Sequence, residues 1–195
     1  MELHLDLVGV ESQIIISMNN FQEEYILFEL IEANSIERLI EEIEKGANLD
    51  IKNNAFKTPL QVAVQLNLPE LVKVLIEAGA KVESPRLIGQ LAELVTDRID
   101  EFPVEVLEIL VEAGLDINHP EEDEDTLLMD ATMEDNLALV KKLVELGADP
   151  NRLNRYGEFA LLSTRNKPEI YKYLYPITDS TLRKRIPWKF TWTFD

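Results

Sequence analysis

The sequence predicts an all-α repeat solenoid, stacked helix–turn–helix units with hairpin loops between them and short β-like segments at both termini. Two observations carry that reading. Gly46, Gly79, Gly114 and Gly147 succeed one another at steps of 33, 35 and 33 residues, each closing an apolar helical pattern. Asn166-Lys-Pro-Glu-Ile-Tyr-Lys-Tyr-Leu-Tyr175 also echoes Asn67-Leu-Pro-Glu-Leu-Val-Lys-Val-Leu-Ile76 along its length. Four terminal glycines in register are a repeat, not an accident of composition.

The clearest unit runs from Thr58 to Glu83. A Thr-Pro helix start leads into Leu60, Ala63 and Val64, and the pattern breaks near Asn67;. A second helix begins at Pro69, with Leu71, Val72, Leu75 and Ile76 at one-face spacing, and Gly79 ends it in the left-handed position that glycine adopts cheaply;.

Residues 1–19 form an N-terminal extension in which Leu3, Leu5 and Leu7 alternate with His4 and Asp6. That is a strand or hairpin pattern, with a frayed extension as the alternative. The array then occupies residues 20–176, divided as 20–51, 52–84, 85–118, 119–151 and 152–176. In the first unit a helix near Gln22–Glu32 is expected to bury Tyr25, Leu27, Phe28 and Leu30, followed by a helix over Ile36–Glu44. The third unit has a clear second helix, Pro103 to Ala113, but no Thr-Pro-Leu start. A long pattern of Leu87, Ile88, Leu91, Leu94, Val95 and Ile99 stands there instead, with two extra residues placed around Asp97–Phe102. This unit is expected to be the weak link. The fourth restores the motif as Thr126-Leu-Leu-Met-Asp-Ala131, with a second helix over Leu137–Leu146. The fifth follows the turn signature Asn154-x-x-Gly157 and is stopped by Pro176;. Residues 177–195 comprise a short cap helix, with Asp179 or Ser180 as N-cap and Leu182 and Ile186 inward, and an aromatic tail. In that tail Trp188, Phe190, Trp192 and Phe194 alternate with polar residues as in a strand;.

The T-P-L-x-x-A opening, second helix and Gly-Ala close resemble an ankyrin repeat, whose period is about 33 residues. The resemblance covers residues 20–176 and is sharpest in the second and fourth units. It implies two antiparallel helices plus an outward hairpin per repeat, and a protein–protein interaction function. Contacts would come from the hairpin tips and the exposed side of the first helices. Carried onto this chain, the tips are Leu49–Asn54, Val82–Pro85, Ile117–Asp125 and Pro150–Tyr156, and the first-helix positions are Gln61, Gln65, Met129, Asp130 and Met133. Met129 and Met133 are read either as an adaptable contact patch or as core filling between the fourth and fifth repeats. Asn53, Asn54, Asn118, Asn151 and Asn154 are expected to serve turn geometry.

Charge sharpens the expectation. The chain carries a net −18, but residues 151–195 hold nine Lys or Arg against four acids, so residues 1–150 carry −23. Glu93–Asp125 alone contains thirteen acids against Arg98. Such a field repels phosphate backbones and anionic membranes and attracts basic surfaces, which argues against nucleic acid and membrane partners. With no cysteine, neither disulfide nor thiolate chemistry is available;. The start of the sequence has no secretory pattern and no stretch reaches membrane-spanning length, which together predict a cytoplasmic protein. His4 and His119, far apart in sequence, cannot be placed with a serine and an acid in a catalytic group, so the chain is read as non-enzymatic and without cofactor;. The run from Asp116 fails as a calcium loop because Glu121 stands where glycine is needed and Leu127 where glutamate is needed;.

The sequence therefore predicts a module that binds, and as one version inhibits in the manner of an immunity protein, a basic protein. The contact residues would be Asn53, Asn54, Gln61, Gln65, His119, Glu121, Glu122, Asp123, Glu124, Asp125, Asp130 and Met133. To these are added Arg152, Arg155 and Tyr156, a basic finger beside the acidic one, and Trp188 and Trp192 of the tail. The alternative is a structural adaptor that forms homo-oligomers through its β-like termini.

Overall fold

The computed structural model describes residues 25–97, 102–121 and 124–186. The strand-like extension before residue 20 and the aromatic tail with Trp188 and Trp192 lie outside them. Within the described residues the chain is helical throughout. Helix α1 is described over 25–32, then come α2 (Ile36–Glu44), α3 (Pro59–Gln65), α4 (Pro69–Glu77), α5 (Ser84–Asp97), α6 (Val104–Glu112), α7 (Leu127–Met133) and α8 (Leu137–Glu145). A 3-10 turn (Ala160–Thr164), α9 (Pro168–Leu174), a second 3-10 turn (Tyr175–Ile177) and α10 (Ser180–Arg183) complete the order. Contacts divide the chain into two compact units, Met1–Lys81 and Val82–Asp195.

Side-chain caps fix the starts of α3, α7, α8 and α10. In α3 the Thr58 hydroxyl accepts from the Gln61 N–H, and the Gln61 side-chain oxygen accepts from the Thr58 N–H at 2.9 Å, a reciprocal capping box;. Pro59 fills the first helical position, where its missing N–H costs nothing;. Thr126 caps α7 one way, its hydroxyl accepting the Met129 N–H at 3.4 Å, Asn136 caps α8 through the Leu139 N–H at 3.0 Å, and Asp179 caps α10 as expected;.

The second helices end alike. At Gly79, φ is +94°, its N–H bonds to the Ile76 carbonyl, and the Ala80 N–H reaches back to the Leu75 carbonyl. The same paired bonds recur at Gly46, Gly114 and Gly147, which is why the glycine register is so legible;. A Cβ at Gly79 would meet nothing within 4 Å, so only the backbone conformation demands glycine. Gly79→Ala is expected to cost about 1–2 kcal/mol, the penalty of an L-residue in the left-handed region. Chemical denaturation measures it, and a wild-type midpoint would mean that the helix end relaxes to another conformation.

First helices end by the same device with different residues. Asn34, Asn67, Asp135 and Asn166 take φ of 49°, 54°, 59° and 66° between the two elements of their units. Asn and Asp tolerate this region best among side-chain-bearing residues.

In the first unit α3 packs on α4 and α2 on α4, closing on Leu39, Leu60, Ala63, Leu71, Val72 and Leu75, all at most 1% exposed. Leu27, Phe28 and Leu30 are buried as expected, but Tyr25 is 37% exposed. Its phenol reaches outward and donates to Asn54 Oδ1 at 2.7 Å.

In the second unit α5 packs on α7, α7 on α8 and on the Ala160–Thr164 turn, and α8 on α9. The atypical third repeat begins with fourteen-residue α5, its Leu87, Ile88, Leu91 and Val95 fully buried. Because α5 starts at Ser84, the Val82–Pro85 tip is not a hairpin there. Ser84 instead uses its hydroxyl to accept the Asp116 N–H at 2.9 Å. Of the expected insertion around Asp97–Phe102, residues 98–101 lie outside the described set. The fifth repeat's first element is a 3-10 turn rather than an α-helix. Lys167 satisfies carbonyls at the neighbouring helix end, donating to Thr132 O and Met133 O at 2.8 and 2.6 Å.

Candidate functional site

Three hairpin tips are built on one backbone plan. The Asn53 N–H bonds to the Lys57 carbonyl, Glu121 to Asp125, and Asn154 to Glu158, all at 2.9–3.0 Å. The fourth residue of each loop, Phe56, Glu124 or Gly157, takes a left-handed φ of 58°, 64° or 73°. Only Gly157 does so without steric cost.

Asparagine supplies the rigidity of two of them. Asn53 Oδ1 accepts from the N–H groups of Ala55 and Lys57, each at 3.0 Å, and Asn154 Oδ1 from those of Tyr156 and Glu158 at 3.0 and 2.8 Å. Asn118 and Asn151 also reach beyond their own turns, Asn118 to the end of α8 and the loop after it and Asn151 to the start of α10. Asn118 Oδ1 accepts the Asp149 N–H at 2.7 Å while its amide donates to the Gly147 carbonyl at 3.0 Å, and Asn151 Oδ1 accepts the Asp179 N–H at 2.6 Å. In the first unit Lys81 pairs with Asp50 across the equivalent gap.

These arrangements sort the expected contact residues. Asn54 and Gln65 are exposed in the first unit, where Gln65 accepts from Lys57 Nζ at 2.9 Å. Gln61 is a correction: it is 8% exposed, and its side chain is spent on the capping box, so it is not a surface contact. Met129, at 3% exposure, is core, whereas Met133, one turn later, is 46% exposed. The periodicity placed both on one face, but the short helix and its neighbour close over only the first. His119 is half-buried, its Nδ1 2.8 Å from the Pro120 carbonyl. Glu122 and Asp123 lie outside the described residues. Arg152, Arg155 and Tyr156 are exposed on the fifth repeat's tip, Tyr156 to 70%.

Among the described acidic residues of the tip, Glu121 and Asp125 are half-buried. Asp125 accepts from Asn154 Nδ2 at 2.6 Å, and Glu124 alone of the described run is exposed. Asp130, half-buried on α7, has a buried Oδ2 without a hydrogen-bond partner. Burial pushes its carboxyl above the ordinary range, a hydrogen bond with the Glu121 carboxyl pulls it down, and the charges of Asp125 and Glu134 push it up again;.

Sequence reasoning passed over two features. Phe56 is 76% exposed despite the left-handed backbone its bulk disfavours;. Alignment of Asn53-Asn-Ala-Phe56 with Asn154-Arg-Tyr-Gly157 would have shown an aromatic residue standing where the turn asks for glycine. Glu134, which belongs to none of the motifs singled out in the sequence, adds its charge beside Asp130.

A cleft of ≈ 630 Å³ lies in the second unit, lined by residues including Phe102, Val104, Leu137, Glu134, Asp135 and Lys142. Its lining holds no histidine or hydroxyl nucleophile. Among the described residues no group of three or more His, Asp or Glu could hold a metal ion, and no helix is long and apolar enough to cross a membrane.

Comparison with known proteins supports the repeat assignment independently. The sequence model of the ankyrin repeat family matches residues 57–86 and 123–155, the two units carrying the Thr-led motif. A fowlpox virus (strain NVSL) protein, FPV034, named as an ankyrin repeat protein, is 27% identical over 125 residues. That stretch is 64% of this chain and 29% of the viral protein, so the chain matches less than a third of that relative's length.

Proposed function

Because the chain is an ankyrin repeat protein, and ankyrin repeats mediate protein–protein interaction, we propose that it binds a basic protein as a non-enzymatic module. One observation carries the reading: Asp130 has a buried Oδ2 without a hydrogen-bond partner, and the charges of Asp125 and Glu134 act on its carboxyl in this partly desolvated place. Holding like charges together opposes folding. A lysine or arginine from a partner would relieve that repulsion, and the relief appears only on binding. Exposed Glu124 and Met133 flank the cluster, offering charge to steer and an adaptable apolar contact to hold;.

The experiment is paired affinity capture from host extract with the wild type and with a Glu124→Lys, Asp130→Asn double variant. A basic protein retained by the wild type, released by moderate salt and lost from the variant, is the expected result. Equal capture by both overturns the assignment of this surface.

The cluster also makes a pH prediction. Asp130 has a folded-state pKa above its unfolded one, so the folded chain takes up a proton more readily;. The burial cost acts on the ionised form at neutral pH and is relieved as pH falls through the folded pKa toward the ordinary carboxylate range. Asp130→Asn is therefore expected to raise the melting temperature at pH 7, with the gain shrinking toward pH 4. A gain independent of pH would assign the effect to packing.

A further inference from the structure

The fifth repeat carries a surface opposite in sign to most of the chain. We infer that the Pro150–Tyr156 tip, together with the basic turn after α10, docks an acidic, partly apolar peptide segment of a partner protein. This does not rest on the basic-partner reading, since the two surfaces have opposite charge and the docking side chains Arg152, Leu153, Arg155 and Tyr156 take no part in the acidic cluster.

Exposure comes first. Arg152, Leu153, Arg155 and Tyr156 project from one short loop, with Leu153 and Tyr156 exposed to 44% and 70%. Arginine and tyrosine are the side chains most enriched where binding energy concentrates, and a guanidinium matches a carboxylate through two parallel bonds. The Arg155 guanidinium lies 5.9 Å from the Tyr156 ring centre, so the aromatic surface and a positive charge are presented side by side;.

Preorganisation is the second argument. Asn154, 6% exposed, fastens the loop through its bonds from the Tyr156 and Glu158 N–H groups. Its amide meanwhile holds the carboxylates at the base, Asp125 at 2.6 Å and Glu158 at 3.3 Å. Arg185 donates to the Gly157 carbonyl at 2.7 Å and lies over Phe159, tying the turn after α10 to the tip. Arg183 stacks on Tyr175 at 4.8 Å, and Lys184 is exposed between the two arginines. A loop fixed before binding loses less entropy when it binds.

Charge selects the occupant. Residues 151–195 carry nine Lys or Arg against four acids, whereas residues 1–150 carry a net −23. Long polyanions such as nucleic acid or an anionic membrane must meet both regions and are repelled by the larger one. A short acidic segment needs to touch only the tip, beyond which salt screens the rest over about 8–10 Å.

The test uses a fluorescein-labelled twelve-residue peptide of Asp and Glu with a central Leu-Phe pair, and a control with Lys replacing the acids. Anisotropy titration of the full chain should show binding of the acidic peptide only, weakening as salt rises, with amide shifts confined to residues 151–157 and 183–186. Arg152→Gln with Arg155→Gln, which removes both positive charges and leaves polar side chains, should weaken binding about tenfold or more. Gly157→Ala should weaken it while leaving both arginines, because the new Cβ would lie 3.1 Å from Arg185 Nη2 on a backbone at φ +73°. Three outcomes overturn the inference: undiminished binding by the double variant, tighter binding of single-stranded DNA or phosphatidylserine vesicles through the same residues, or shifts located elsewhere. Self-association of the wild type that the double variant abolishes would assign the surface to a second copy of this chain, and also overturns it.

Discussion

Replacing Leu75 by alanine is expected to cost about 2–5 kcal/mol of folding free energy, the penalty for emptying a closed leucine site. Leu75 is fully buried on α4, among Leu39, Leu60, Leu71 and Val72. Its carbonyl also receives the Ala80 N–H that closes the helix end, so the residue sits where side-chain packing and helix termination meet. The side chain accounts for the loss because alanine keeps that backbone bond. Urea unfolding monitored by helical circular dichroism reads the change directly. A loss below about 1 kcal/mol would mean that neighbouring side chains collapse into the vacated space.

Asn154→Ala should cost roughly 2–3 kcal/mol, from two loop N–H groups left without their shared acceptor. The Tyr156 and Glu158 amides are the reporters, because both bond to Asn154 Oδ1. Their hydrogen exchange should accelerate while the backbone bonds of α8 keep their protection. Asn154→Asp separates the two halves of the role. It keeps an acceptor for the two N–H groups, but removes the donor to Asp125 and places a carboxylate in its stead. That variant should hold the loop yet lose stability at pH 7, and recover it as the pair protonates in acid. If both variants melt like the wild type, the tip is held by its backbone bonds alone.

Much of the fold was legible because its punctuation is local. Gly46, Gly79, Gly114 and Gly147 mark helix ends that need a left-handed residue whatever surrounds them. Thr58 and Thr126 cap helices through groups three residues away, and the apolar spacing of α4, α6 and α8 follows from 3.6 residues per turn;. These requirements are met within one unit, so a single sequence displays them, and the ankyrin resemblance rests on them.

The surface was less legible, since exposure depends on which neighbour covers a helix. Gln61 and Met129 occupy first-helix positions that the family pattern would turn outward, yet one is consumed by a cap and the other sealed by packing. Met133, four residues on, escapes only because α7 ends there. The glutamates and aspartates of residues 121–134 spell a charged stretch, but sequence cannot say that Asp130 lies against Glu121 and feels Asp125 and Glu134. Nor can it say that Asn118 and Asn151 reach with their amides beyond their own turns. The sequence by itself determined the repeat, its caps and its buried faces, because backbone geometry and burial impose them residue by residue. Tertiary structure alone decided which side chains remain to meet a partner, because hydrogen bonds and carboxylate repulsion between repeats depend on distances across the stack that no local pattern encodes.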